Sequence, residues 1–477
     1  MSIKRKSLNI LILVFIFFVE ALTLNAQEQP PRMEGDLPSE INNKANKDNP
    51  FGINAEVGYM KFAEVDYIGL RISPDISFLK FGIGLDIPVM FNINTWDLYT
   101  NEFNGGVGAL RLISYARWGI KKSDPVFIKF GELSNVNLGY GILINNYSNS
   151  ISYDQRKFGL SFDILIKKVI GIEGIYSDFN FVSLNLLGIR PYIKPFGATK
   201  IKILKNLDIG LSYVTDHDNT YKPLSTNDYE RNMFVKEGIH AFAGDIGIHL
   251  INKPAFNFKI FAQYGGLLKS DTLKKLYQKQ LASYPGLLTE STLSDYNNGQ
   301  GQSVGSEFRI NIGKLFITNI RIERLFNSDH FIPQFFDEIY EINKDAKMYN
   351  LGYSKKCQGI YSSLTLNFIG RIYAKGSLLM PDNLDTDFPA LLKIDLDASG
   401  LTKHISITGS YIKGNITNMN NAFILDNYSL INATVNYKFN PWLLVGVKYQ
   451  RTYSINEDEI FLPVELYFLY FGLNFKF

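Results

Sequence analysis

The stretch Tyr467-Phe468-Leu469-Tyr470-Phe471-Gly472-Leu473-Asn474-Phe475-Lys476-Phe477 decides the fold. Tyr467, Leu469, Phe471, Leu473, Phe475 and Phe477 share one parity, while Tyr470, Gly472, Asn474 and Lys476 share the other. Successive side chains of a strand point to opposite faces, so this is a strand with one apolar and one polar side. The pattern returns in Ile431, Ala433, Val435 and Tyr437 against Asn432, Thr434, Asn436 and Lys438. Leu207, Ile209, Leu211 and Tyr213 alternate with Asn206, Asp208, Gly210 and Ser212. Phe308, Ile310 and Ile312 oppose Glu307, Arg309 and Asn311, and Phe158, Leu160, Phe162 and Ile164 oppose Lys157, Gly159, Ser161 and Asp163.

A soluble antiparallel sheet alternates too, with one face on a core and one in water. Two features separate a membrane barrel from it. Reading from Phe51, about twenty strands are expected, within the even-numbered range of bacterial barrels. Their connections alternate between tight and long. Tight turns are expected near Leu79, Lys121–Pro125, Lys167–Lys168, Asn252–Ala255, Gly313, Gly370, Ser399–Leu401 and Asn440–Pro441. Long loops are expected at Ile93–Gly106, Ser134–Arg156, His217–Ile239, Gly266–Ser303, Asn327–Gln358 and Asn415–Tyr428. Lys194–Lys205 is longer than its place among the tight turns predicts. Short periplasmic turns with longer extracellular loops characterise membrane barrels. The second feature is aromatic placement. Tyr437, Phe439, Phe475 and Phe477 fall at one set of strand ends, and Tyr213, Tyr264, Tyr411 and Tyr453 at the other, as two girdles at the water–lipid boundaries.

The remaining composition agrees. Lys4, Arg5 and Lys6 precede an apolar run from Leu8 to Val19, and Leu24-Asn25-Ala26 offers a cleavage site before Gln27. That run is short of the roughly 20 residues of a membrane helix, so 1–26 reads as a signal peptide. Residues 27–50, with Pro30, Pro31 and Pro38, read as a polar periplasmic segment, and 51–477 as the barrel. A net charge of +3 is too small to suggest nucleic-acid binding, and Cys357, alone, cannot form an internal disulfide.

With its alternation and final Phe477, the Tyr467–Phe477 segment resembles the insertion signal of Gram-negative outer-membrane β-barrel proteins. The resemblance implies an all-β transmembrane antiparallel up-and-down barrel of about 18–20 strands, porin-like in class. Its insertion residues would be Phe471, Leu473, Phe475 and Phe477. It also implies recognition by the barrel-assembly machinery and contact with outer-membrane lipid and lipopolysaccharide. The plug domain of TonB-dependent receptors, a peptidoglycan-binding tail and the Asn-Pro-Ala segment of long-chain fatty-acid transporters are not expected here.

A barrel of this size is wide enough for an aqueous lumen unless something fills it. Alternation assigns Arg71, Asp86, Asp163, Asp208, Asp245, Lys259, Glu307, Arg309, Arg321, Glu323, Asp395, Asp397, Lys438 and Lys448 to the inside as pore-lining candidates. Charges there fit a wet interior, because an ionised group in lipid costs several kcal/mol. Catalytic patterns are weak. Gly301-Gln302-Ser303-Val304-Gly305 lacks the strand–turn–helix setting of a nucleophile elbow. His404 and Ser406 have a lipase-like spacing without its surroundings, and Asp216-His217-Asp218 reads as an exposed polar turn rather than a metal site. No enzyme activity and no cofactor are expected.

Two long loops carry helical periodicity. Leu273, Leu276, Tyr277, Leu281 and Tyr284 predict one helix, and Pro333 followed by Phe336, Ile339 and Tyr340 predicts another over Pro333–Asp345. The first is basic, with Lys274, Lys275 and Lys279, and the second acidic, with Asp337, Glu338 and Glu341. Paired across the mouth, they would form a lid; the alternative is that they are independent solvated faces decorating the rim. The expected function is passive or gated passage of small solutes; the alternative is a non-conducting barrel serving as a scaffold or partner in export or surface assembly.

Overall fold

The computed structural model describes residues 51–477 apart from 79, 101–107, 151–155, 181–182, 202, 219–237, 269–298, 314, 386–387, 427, 456–460 and 477. Every strand pairs antiparallel with its neighbours, and Phe51–Phe62 closes the circle against Phe461–Lys476, from Gly52 opposite Lys476 to Phe62 opposite Leu466. Of the 21 strand segments, Phe81–Leu85 and Ile87–Asn92 both pair with Val65–Phe78 and form a single stave broken at Asp86. The result is a closed barrel of 20 staves. The Asp86 amide leaves the ladder and donates to the Leu112 carbonyl at 2.8 Å.

The alternation sorts the two faces as expected. Outside, Val57, Leu211, Val304, Ile322 and Phe471 are more than half exposed, which fits lipid and not water. Inside, the same strands present polar groups and glycine. The predicted tight turns lie on one rim, with Phe51 and Lys476, and the predicted long loops leave the other. The 194–207 connection is the long exception on the tight-turn rim. Several outer connections are shorter than expected, the tightest being Ala63–Glu64 with both residues at positive φ.

Two of the outer loops do not stay outside. Residues 133–149 run down into the barrel as a hairpin. Val136 and Tyr147 exchange both backbone hydrogen bonds at 2.9 Å, and the Leu138 amide donates to the Ile144 carbonyl. Gly139 and Gly141 turn the tip with φ of 61° and 89°, and Asn135 and Asn146 also take the left-handed region, which asparagine tolerates better than most residues. A segment of the 328–356 loop lies alongside. The Asn145 amide donates to the Phe336 carbonyl, the Phe336 amide to Leu143, and the Gln334 amide to Ile142. A loop within a barrel must satisfy its backbone groups internally, and the three-segment pairing does so.

These loops bring their own core. Leu138, Ile142, Leu143, Ile144, Tyr147, Phe331, Phe335, Phe336 and Tyr340 pack with inward-facing Ile175, Leu186, Val214, Ala241, Ala243 and Leu267. Space for them is made in the wall. A Cβ at Gly247 would fall 2.1 Å from the Tyr140 hydroxyl, and one at Gly301 2.0 Å from the Phe331 ring. The helix expected over Pro333–Asp345 is not formed there. A short 3₁₀ turn, Tyr340–Ile342, precedes an α-helix at Lys344–Tyr353. The apolar spacing reflects packing of an irregular, turn-containing segment against the inner wall, not a helical face.

Candidate functional site

Below the hairpin tip, a cavity of about 1030 Å³ reaches the tight-turn rim, where Lys121–Pro125, Lys168, Gly197–Thr199 and Lys205 line it. Its roof is the hairpin itself, through Asn135, Asn137, Gly139, Tyr140, Asn145 and Asn146. The tip is deep: the Lys121 ammonium, on a tight turn, donates to the Asn137 carbonyl at 3.2 Å.

The expected inward charges lie on the inner face, but as networks. Arg190 donates to Glu173 at 2.9 Å, to Asp208 at 2.5 Å and through Nε to Asp245 at 2.8 Å. Glu173 also accepts the Gly139 amide at 3.0 Å, tying this cluster to the tip. Asp163 accepts the Tyr192 hydroxyl at 2.8 Å. Lys259 pairs with Glu307 at 2.5 Å, and Arg321 with Glu323 at 2.5 Å. Arg321 further donates to the Tyr140 carbonyl and lies over the Phe261 and Tyr361 rings. Gln263 accepts the Ile142 amide at 2.9 Å and donates to Ser303 and Glu323. Arg309 is half-buried on the cavity wall.

On the opposite wall Asp86 binds Arg71 at 2.6 Å and Arg156 at 3.0 Å, and Lys448 binds Glu56 at 2.5 Å. Lys393 lies 3.8 Å from Asp395 and donates to Asn135 of the hairpin at 2.5 Å. Lys375 donates to Asn146 at 2.7 Å. Asp397 accepts the Ser399 amide, and Lys438 reaches the Ser399 carbonyl at 3.4 Å. Beyond these, Thr408, Ser410, Thr434 and Gln450 are half-buried on the inner face, and Asn432 is exposed.

The acids expected on an exposed lid are buried instead. Asp337, Glu338 and Glu341 are each at most 5% exposed. Their partners come from within: Lys347 pairs with Asp337 at 2.5 Å, and Glu341 binds Lys157 and accepts the Tyr147 hydroxyl. Lys344, with no exposed surface, sits 3.0 Å from both Asp216 and Asp218 and 3.2 Å from Glu341. The Tyr340 hydroxyl also donates to Asp216, at 2.8 Å. Asp216 and Asp218 are therefore not an exposed turn. They grip an ammonium where the sequence pattern allowed a metal. Lys274, Lys275 and Lys279 lie outside the described residues, so the basic partner of the expected lid has no structural description.

Burial and charge shift the loop groups in different directions. Burial alone would push the Lys344 ammonium down, but Asp216, Glu341 and Asp218 outweigh it and hold it well above the ordinary lysine range. Burial raises Glu341, yet Lys157 and Lys344 win and keep it below its usual value. Glu338 goes the other way: burial pushes its carboxyl up to about 7, with Lys393 opposing and Asp337 adding to the rise.

The other expectations resolve simply. Phe471, Leu473 and Phe475 face outward, Phe471 at 65% exposure, while Phe477 and residues 1–50 lie outside the described residues. Ser303 sits within the strand Gly299–Ile312 and accepts from Gln263. The His404 ring stacks on outward Tyr437, with Nδ1 3.1 Å from the Lys438 carbonyl, whereas Ser406 is buried. Arg190, Glu173, Arg156, Glu56, Lys375 and Lys393 were not among the expected residues. Arg190 and Glu173 share the parity of inward Gly188 and Gly171, so the alternation that found the others could have found them.

A closed antiparallel barrel with an even number of staves, an apolar exterior and a charged interior is a transmembrane β-barrel of the Gram-negative outer-membrane class. No protein-family model matches the chain, and no curated protein matches it. Among solved structures it is similar to CdiB from Acinetobacter baumannii (5% identity, TM-score 0.29), covering 89% of this chain but only 60% of that one. It is also similar to Wzi of Escherichia coli, described as a carbohydrate-binding outer-membrane barrel involved in group 1 capsule assembly. That match has 11% identity, a TM-score of 0.35, and covers 92% of this chain and 87% of Wzi. OpdK of Pseudomonas aeruginosa matches at 8% identity and a TM-score of 0.31, covering 90% and 98%.

Proposed function

We propose that the protein is a narrow porin-like channel that passes small solutes along the side of the lumen its inserted loops leave wet. The observation that carries this reading is the polar inner wall from Cys357–Phe368 round to Val65–Phe78, where Asn432 is exposed and Arg71, Thr408, Ser410 and Lys448 are only part-buried. Water-facing polar groups inside a closed barrel provide an aqueous path. In this reading the chain has no catalytic centre, and its partners are lipid, lipopolysaccharide, the barrel-assembly machinery and the solute.

Single-channel recording in planar bilayers tests it. The intact protein should conduct in small steps, and replacing 134–149 by a short Gly-Ser linker should raise the step size several-fold. The apolar core around Phe336 favours a second reading, in which the lumen is permanently filled and the barrel is a non-conducting scaffold in export or surface assembly. Silence from both proteins, when both are folded, would select that one.

A further inference from the structure

We infer that the cavity at the tight-turn rim is a binding site for small anions bearing a carboxylate or phosphate group, taken up from that side of the barrel. It carries ten lysine and arginine side chains against five carboxylates, although the whole chain is only +3. The carboxylates already have partners. Asp124 is held by Lys80 at 2.6 Å, Glu307 by Lys259, Glu173 and Asp208 by Arg190, and Asp163 by the Tyr192 hydroxyl. Among the described residues, Lys168, Lys194, Lys205 and Arg309 have no carboxylate within ion-pair distance, and all four line the cavity.

Their placement follows from the long 194–207 turn, out of keeping with its neighbours on that rim. It packs against the adjacent 167–169 turn so closely that a Cβ at Gly197 would lie 1.9 Å from the Lys168 carbonyl. The Lys194 amide donates to Val169 at 2.7 Å. The two turns are thereby held together, and Lys168, Lys194 and Lys205 all line the one cavity. Arg309 lies on the cavity wall with Asn319 and Asn257. A guanidinium presents a donor fork that matches carboxylate and phosphate oxygens, and amides can supply further donors. At moderate ionic strength the screening length is about 10 Å, so such charges act jointly on an entering solute.

The site stands whether or not the channel conducts; the channel reading is needed only for what becomes of the bound anion. The test is equilibrium binding of succinate and of inorganic phosphate to the purified full-length barrel in detergent, with neutral succinamide as control. At least one anion should bind at low salt, and which one binds identifies the favoured group. Binding should weaken by roughly tenfold or more near 1 M salt, where the screening length falls to about 3 Å. The Lys194→Gln/Lys205→Gln/Arg309→Gln protein should lose binding by a similar factor, and the exposed pair Lys168→Gln/Lys205→Gln should move in the same direction. Equal binding of succinamide, no binding of either anion, or unchanged affinity in both folded variants would overturn the inference. Anion binding without conductance would leave the site standing and remove the channel.

Discussion

The two sides of this lumen use one strand grammar to opposite ends. From Gly159–Ile166 to Gly299–Ile312 the inner wall carries Ile175, Leu186, Val214, Ala241, Ala243 and Leu267, and folded-in loops cover it. From Cys357–Phe368 round to Val65–Phe78 the equivalent positions include Ser363, Thr408, Ser410, Asn432, Thr434 and Lys448, and much of that wall stays in contact with solvent. Even there an apolar patch of Met60, Met90, Phe468 and Tyr470 forms under Tyr99. The contrast teaches that parity tells which residues point inward, while their polarity tells what they meet. Apolar inward residues mark the footprint of an inserted segment, whereas polar ones meet either water, as Asn432 does, or the polar groups of the inserted loops, as Gln263 and Lys393 do.

The sharpest way to break the filled side is through its buried charges. Lys344→Met leaves Asp216, Asp218 and Glu341 together without their shared cation. Removing one partner from a buried ion pair costs about 3–5 kcal/mol. The variant should show a lower thermal midpoint for the loop core and noisier, larger conductance than the parent. An unchanged melting profile would mean that the cluster does not anchor the loops.

A smaller effect separates the two walls directly. Leu143→Ala, at a site 2% exposed, should cost about 2–5 kcal/mol, as buried leucine truncations do. Asn432→Ala on the wet wall should stay within about 0.5 kcal/mol, as for surface positions. Chemical denaturation in detergent measures both, and equal costs would erase the distinction.

How far this division could be read in the residues depends on which interaction decides it. Strand positions, the tight-turn rim and the outward apolar face follow from period-2 alternation, and the structure agrees at Phe471, Tyr437 and Leu211. The inward charges were legible for the same reason. Inserted loops were not, because their apolar residues meet partners far away in sequence. Ile142 meets Gln263, and Phe336 pairs with residues 143–145. The signals existed nonetheless: loops containing Leu138, Ile142, Leu143, Ile144, Phe335 and Phe336 are too apolar to be left in water, and Ala241, Ala243 and Val214 are apolar on a wet parity. Helical spacing around Pro333 misled because an irregular, turn-containing segment packed in a lumen can bury residues at the same intervals. The acids Asp337, Glu338 and Glu341 looked solvated because no spacing in the sequence shows that their segment is buried, nor that Lys157 and Lys393, far away in sequence, bind or oppose them.

The filled side should also depend on pH. The Glu338 carboxyl, ordinarily near 4.5, is pushed up to about 7 when the loop is inserted. Below 4.5 it is protonated in both inserted and withdrawn loops and contributes no difference. As pH rises through 4.5 the withdrawn state releases its proton first, so insertion weakens progressively until about pH 7 and then levels off. Glu341, held below its usual value, acts in the opposite sense at lower pH. Channel open time should therefore rise between these two pH values, and Glu338→Gln should flatten that rise. A parent profile identical to that of the Gln variant would exclude Glu338 as the titrating group.

Solvent access on the two walls is the most direct measurement of the central claim. In a Cys357→Ser background, Asn432→Cys, Ala243→Cys and Val214→Cys would be reacted separately with a small charged thiol reagent on the folded barrel. A lumen filled on one side and wet on the other predicts rapid modification at 432 and protection at 243 and 214, with protection lost when 134–149 is replaced. Equal, fast modification at all three positions in the intact protein would contradict it.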